Sequence, residues 1–300
     1  MPGTVSRRGW PTGPRRTPAL AWGFVAPTLL FLIAIDVFPL VYDLVLSFRD
    51  ASLSGAKWEW TGGANYARVF SDPKYASALR TTAIFVLAAV SIELVLGFVL
   101  ALALRPSFAG KGLVTTVLLI PMMLSPAVMG LYWNLLLNGD YGILNQTLHA
   151  IGLPQPQWLT DDDLKMVSML LIDTWMWTPF MMLIALAGLN AIPSYIYEAA
   201  EVDRASAWAV FTRITLPMCS PLLGLAVLFR ATDALKQFDL VMAITGPTDS
   251  TTQTVSALLY DQVFRGRRVG LGSAYACVVL VVVIALATVF VRYVQSLRKR

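Results

Sequence analysis

The 300-residue sequence predicts an all-helical integral membrane protein with six transmembrane helices, and three observations carry that prediction. Hydrophobic residues make up 57% of the chain and charged residues 14%, with a mean hydropathy of +0.65, outside the range of a soluble globular domain. The apolar residues fall in runs of about twenty or more, the length that crosses about 30 Å of hydrocarbon. Polar stretches rich in Pro, Gly and charge separate the runs.

Residues 1–18 place Arg7, Arg8, Arg15 and Arg16 among Pro, Gly, Ser and Thr with no helical or strand period, and read as a disordered basic tail. The apolar run 19–46 exceeds a signal-peptide core and lacks a small-residue cleavage site, so it is expected to stay as the first span, bent at Pro27 and Pro39. Residues 47–79 form a loop with interfacial Trp58 and Trp60. A second span covers 80–104, followed by the short basic loop 105–112. The third covers 113–137, with Pro121 and Pro126 tolerated where neighbours satisfy the freed carbonyls. After a polar stretch containing Asp161, Asp162 and Asp163, read as a solvated loop or helix start, the fourth span covers 166–189. The fifth covers 217–235 and the sixth 271–294, with Arg298, Lys299 and Arg300 closing a second basic tail.

Six spans put both termini on one side. Of the 23 Lys and Arg, twelve lie in the termini, the 105–112 loop and the segment between the fourth and fifth spans, against eight in the opposite loops. The positive-inside rule then makes the termini cytoplasmic in a cell membrane, and the net charge of +5 reads as orientation and lipid contact before nucleic acid. Cys219 and Cys277 lie in or beside apolar runs and His149 has no partners of its kind, so no metal, cofactor or nucleophilic site is expected. The nearest fragment to a phosphate-binding Gly-x-x-x-x-Gly-Lys-Ser/Thr string is Gly110-Lys111-Gly112, which lacks the rest of the motif, so no nucleotide-hydrolysing loop is expected in this chain. No long internal repeat is apparent, which weighs against carriers built from two related halves.

The segment 193–217 interrupts two apolar runs and has its own grammar. Ser194–Val202 reads as a short helix with Ile196, Ala199 and Ala200 on one face; a break follows at Asp203-Arg204-Ala205; Ser206 suits an N-cap; and Pro217 is expected to close a second helix. Periodicity alone fits a hairpin lying on the membrane surface. The residue string Glu198-Ala199-Ala200, Asp203, Ala205, then Ile214, Leu216 and Pro217, resembles the EAA loop of the permease subunits of ATP-binding-cassette importers, with Arg204 at that family's glycine position.

Further strings extend the resemblance to the sugar-type permeases, the maltose and glycerol-3-phosphate first-permease branch. They are Phe38-Pro39-Leu40, Gly63-Ala64-Asn65-Tyr66, Leu119-Ile120-Pro121, Tyr141-Gly142-Ile143-Leu144-Asn145, Trp177-Thr178-Pro179-Phe180, Thr245-Gly246-Pro247 and Leu271-Gly272-Ser273-Ala274. The resemblance implies the type I importer permease core over 76–294, with the EAA helix-turn-helix at 193–217, after a first helix and extracytoplasmic loop at 19–75 and between basic tails at 1–18 and 295–300. It implies a homologous second permease, two copies of a cytoplasmic ATPase, an extracytoplasmic solute-binding protein, and a sugar or related polyol as substrate. Glu198, Ala199, Ala200, Asp203, Arg204 and Ala205 inherit the ATPase-coupling role by position.

For the substrate path, ionisable residues inside spans are the candidates, because a charge there is costly and tends to face a wet cavity. These are Glu93, Asp173, Arg230, Asp233 and Lys236, the last three spaced to form a ladder, joined by Trp133 and Trp175 as ring-stacking surfaces. The alternative for the charged residues is mutual structural pairing. A self-sufficient channel or carrier needs no ATPase dock, and a membrane-embedded enzyme needs a nucleophile and base that this chain does not offer.

Overall fold

The computed structural model describes residues 18–55 and 58–297. Residues 1–17 and 298–300, which hold most of the two expected tails, lie outside the described residues. Five of the described helices are long and apolar enough to cross a membrane: Trp22–Ser47, Pro73–Leu104, Asp162–Asn190, Ala207–Ala234 and Val269–Arg292.

The first of these joins α1 (Pro18–Leu32) and α2 (Phe38–Ser47) through a π-helical turn, Ile33–Val37. Pro39 has no N–H to offer the preceding turn, and the ladder widens there, with the Phe38 N–H donating to the Ile33 carbonyl. A two-stranded antiparallel ribbon follows, β1 (Arg49–Asp50) with β2 (Glu59–Trp60), and then α3 (Ala64–Ser71). Helix α4 (Pro73–Leu104) starts with Asp72 capping the Lys74 N–H.

In place of the expected third span lie α5 (Lys111–Leu119), a 3₁₀ turn (Pro121–Met123) and α6 (Pro126–Leu136). Pro126 pushes Ser125 out of the helical region to φ −66°, ψ 135°, and Leu124 is extended as well, so no single helix forms. The broken pair still runs the length of the bundle. At one end the Lys111 ammonium reaches the Arg105 carbonyl at 3.3 Å, and at the other the Asn134 amide reaches the Ala243 carbonyl at 3.0 Å.

Helix α7 (Ile143–Ala150) leads to α8 (Asp162–Asn190), capped by Asp161. The acidic run is thus a helix start, as one of the two expected readings had it. Two short helices, α9 (Ser194–Val202) and α10 (Ala207–Val210), precede a second π-helical turn, Phe211–Thr215, and α11 (Leu216–Ala234). Pro217 does not end the second helix. It stands two residues beyond the π turn, as Pro39 does, and the helix continues unbroken from Ala207 to Ala234. Helices α12 (Asp239–Ile244), α13 (Val255–Tyr260) and α14 (Val269–Leu297) complete the chain.

Small residues let α4 and α8 approach closely. Ala89, Gly97 and Ala101 of α4 meet Met181, Met182 and Ala185 of α8, all part of a core that α11 completes with Cys219, Leu223 and Ala226. A satellite cluster at the far end joins Val69, Tyr75 and Ala78 to Leu258, Ala274 and Tyr275. The first span packs mainly against α14, and over Trp22–Ser47 only Leu46 and Ser47 are buried.

Candidate functional site

The bundle has two unlike ends. One gathers the ribbon, α7, α12 and α13; the other carries the α9–α10 hairpin. In the hairpin, Ile196 and Ala200 turn inward while Ala199, expected on the same face, is exposed with Glu198. The turn is closed by three backbone bonds, from Asp203 to the Ala199 carbonyl, from Arg204 to Glu201 and from Ala205 to Ala200. The last two define a Schellman cap, which requires a left-handed residue between them, and Arg204 supplies it at φ 54°. Ser206 caps α10 by accepting from the Ala209 N–H at 3.2 Å. Glu198, Ala199, Asp203, Arg204 and Ala205 therefore share an exposed tip, flanked by Val202 at 83% and Trp208 at 73% exposure. Behind it, the Arg105 guanidinium lies 4.1 Å over the Tyr197 ring and Tyr197 shares a hydrogen bond with Thr215, fixing the hairpin to the bundle.

Where the last turns of α11 pack against α4 and α8, four of the predicted intramembrane charges meet. Arg230 of α11 donates from Nε and Nη2 to the two carboxylate oxygens of Glu93 on α4, at 2.8 and 3.1 Å, and from Nη2 to Asp173 on α8. Its Nη1 reaches Asp233 at 3.3 Å. Arg230, Glu93 and Asp173 are at most 1% exposed, whereas the Asp233 side chain is 56% exposed. The Trp177 ring faces the guanidinium at 5.0 Å, and the Gln237 amide donates to Asp173 at 3.1 Å. Lys236 stands apart. Helix α11 ends at Ala234, so the predicted ladder stops at Asp233 and Lys236 is exposed.

Trp133 and Trp175 pack edge to face with centroids 5.6 Å apart and line a cavity of about 940 Å³ between α4, α5, α6 and α8. Its wall is apolar apart from three buried polar atoms without a protein partner: Trp133 Nε1, Thr174 Oγ1 and Thr178 Oγ1. None of the predicted charged residues lines it. The seven path candidates thus divide into a closed charge network, an aromatic cavity and one exposed lysine. Sequence reading did not single out Gln237 or Trp177 as site residues. For Trp177 the signal was spacing, since it follows Asp173 by one helical turn; Gln237 lies beyond the end of α11 and no local spacing marks it.

Comparison with known proteins adds the context. Residues 93–300 match the family described as binding-protein-dependent transport system inner membrane component. The chain is 35% identical over 288 residues to the trehalose transport system permease protein SugA of Mycobacterium tuberculosis, covering 96% of this chain and 91% of that protein. It is 31% identical over 278 residues to the trehalose/maltose transport system permease protein MalF of Thermococcus litoralis, covering 92% and 94%. In fold it resembles a chain of a bacterial ABC transporter involved in the import of the acidic polysaccharide alginate, with a TM-score of 0.82 over 93% of this chain and 96% of that one, at 21% identity.

Proposed function

The chain belongs to the family of binding-protein-dependent transport system inner membrane components, and from that membership we propose how it works as one permease of an ATP-driven importer for a sugar or related polyol. In this reading α5 and α6 together make a sixth crossing, both termini face the cytoplasm, and the ribbon end faces outward toward a solute-binding protein. A homologous second permease completes the path, and two copies of a cytoplasmic ATPase lie below. The chain itself hydrolyses nothing. The proposed division is a first helix and extracytoplasmic loop at 19–75 and the transport core at 76–294.

The observation that carries the coupling role is the hairpin's attachment. Its tip is exposed, and its second helix is continuous with α11, so a push on Trp208 travels along one rod of about 42 Å to Arg230 and beyond. Glu198 offers the tip a charge for a basic group of the ATPase, and Ala199 permits close approach. For the solute, the cavity walls of Trp133 and Trp175 suit the C–H faces of a sugar ring.

The test is to purify this chain with its genomic neighbours in mild detergent, identify what co-elutes, and assay ATPase activity. A second permease and an ATPase should co-elute, and Glu198→Arg should lose the ATPase while retaining the second permease. In the intact system, Glu198→Ala should abolish most uptake without lowering membrane insertion. Elution of this chain alone, with ATP-independent transport in vesicles, would replace this reading with that of a carrier.

A further inference from the structure

Beyond the buried charges a polar chain continues to the ribbon end of the molecule. Gln237 sits in the connection after α11 and bonds in two directions. Its side-chain amide donates to Asp173, and its backbone carbonyl accepts from Thr254 Oγ1 at 2.7 Å. Thr254 is fully buried and caps α13 by accepting from the Ala257 N–H. The next N–H, that of Val255, donates at 3.0 Å to Thr82 Oγ1, which returns the chain to α4. The circuit therefore closes: α4 holds Arg230 through Glu93 and holds α13 through Thr82, and Gln237 spans the gap between them.

The loop that ends in Thr254 is itself organised as a unit. Thr245 and Thr252 share a 2.7 Å hydrogen bond, and Asp249 accepts from Thr251, Thr252 and Lys165 at the start of α8. The circuit from Arg230 to Thr82 runs through direct hydrogen bonds and the one peptide link from Thr254 to Val255; Arg230, Asp173, Thr254 and Thr82 are buried and Gln237 is half-buried. Water cannot readily replace these bonds, so moving one partner moves the next or leaves a buried polar atom unpaired. Because Arg230 lies on the same continuous helix as Trp208, which flanks the hairpin tip, the two ends of the molecule share one mechanical element.

We propose that Gln237 and Thr254 are positioning residues that lock the loop 245–254 to the Arg230 network, so that displacement of the hairpin helix is passed to the outward-facing loop. The inference rests on the importer reading above for its direction and its energy source. Neither residue touches solute; both act through the elements they hold together. Passage of motion through such a chain is established by measured coupling and not by adjacency alone.

The experiment uses the complete importer in nanodiscs, trapped with MgATP and orthovanadate, and reads amide hydrogen exchange in the segment 245–260. Trapping is expected to change exchange there at least about fivefold in the unaltered complex. Gln237→Leu and Thr254→Val should each reduce that change to less than about twofold while leaving vanadate-sensitive ATPase activity in place. Thr254→Ser, which keeps the hydroxyl, should retain the response, and the double variant should lose no more than either single one, as members of one chain do. If Gln237→Leu fails to assemble, the Thr254→Val and Thr254→Ser pair decides alone. A full loop response in Thr254→Val, or no loop response in an unaltered complex that hydrolyses ATP, would overturn the inference. A purified complex with no vanadate-sensitive ATPase would overturn the importer reading and this inference with it.

Discussion

At the scale of single residues, three positions carry measurable free energy. Arg204 holds a left-handed conformation that costs a non-glycine residue about 1 kcal/mol, so Arg204→Gly should raise the hairpin's local stability by about that amount, read as slower amide exchange over 194–206. Arg230 balances two fully buried carboxylates. Arg230→Met should cost about 3–5 kcal/mol, read as a lower unfolding midpoint in detergent, and adding Glu93→Gln and Asp173→Asn should restore most of it. In the loop, burial pushes the Asp249 carboxyl up, but hydrogen bonds from Lys165 and Thr251 outweigh it and hold the group down to about 2. A carboxyl depressed in the folded state stabilises above its unfolded value of about 3.9 and ceases to do so as pH falls toward about 2. The stability gap between the unaltered chain and Asp249→Asn should therefore be constant above about pH 5 and shrink below about pH 4, measured by thermal unfolding. Sequence reading located Glu93, Asp173 and Arg230 because charge within an apolar run is conspicuous. It paired Arg230 with the near neighbour Asp233, whereas the main partners lie 137 and 57 residues away, a distance that no local spacing reports.

At the scale of elements, the contact of α4 with α8 depends on Gly97. A Cβ there would stand 2.5 Å from the Met181 Cβ and 2.8 Å from the Met182 backbone nitrogen, both on an unyielding helix. Gly97→Ala should destabilise by about 1–3 kcal/mol, measured by the same unfolding assay, and Met181→Ala, which keeps the Cβ at the contact, should leave that cost in place. The long helices were legible from apolar run length, and the cap at Ser206 from residue type. The broken segment 111–136 was not, because its hydrophobicity is continuous. Only Pro126 acting on Ser125, with the 3₁₀ turn at Pro121, separates two short helices from one long one. Pro217 misled in the opposite sense: a helix absorbed it by widening its ladder in the turn before, which composition does not announce.

At the scale of the whole molecule, the described chain is a four-helix body, α4, α8, α11 and α14 with the broken pair beside them, and a first span that lies largely outside it. That span meets α14 along one face, and bulky residues such as Phe24, Phe31 and Phe38 point away from the bundle at 63–78% exposure. The buried charge network also bears on how such a body is made. Glu93, Asp173 and Arg230 leave the ribosome in that order, so during synthesis two acids enter the lipid before the base that neutralises them exists. Each costs a few kcal/mol at the centre of the bilayer while alone. The nascent chain is therefore at its most vulnerable between the fourth and fifth spans. Released chains that end at residue 215 should be cleared by membrane proteases faster than released chains that end at residue 240, a difference that pulse-labelling would record. On that expectation the arrival of Arg230 is the step of synthesis that joins α4, α8 and α11 through their buried charges.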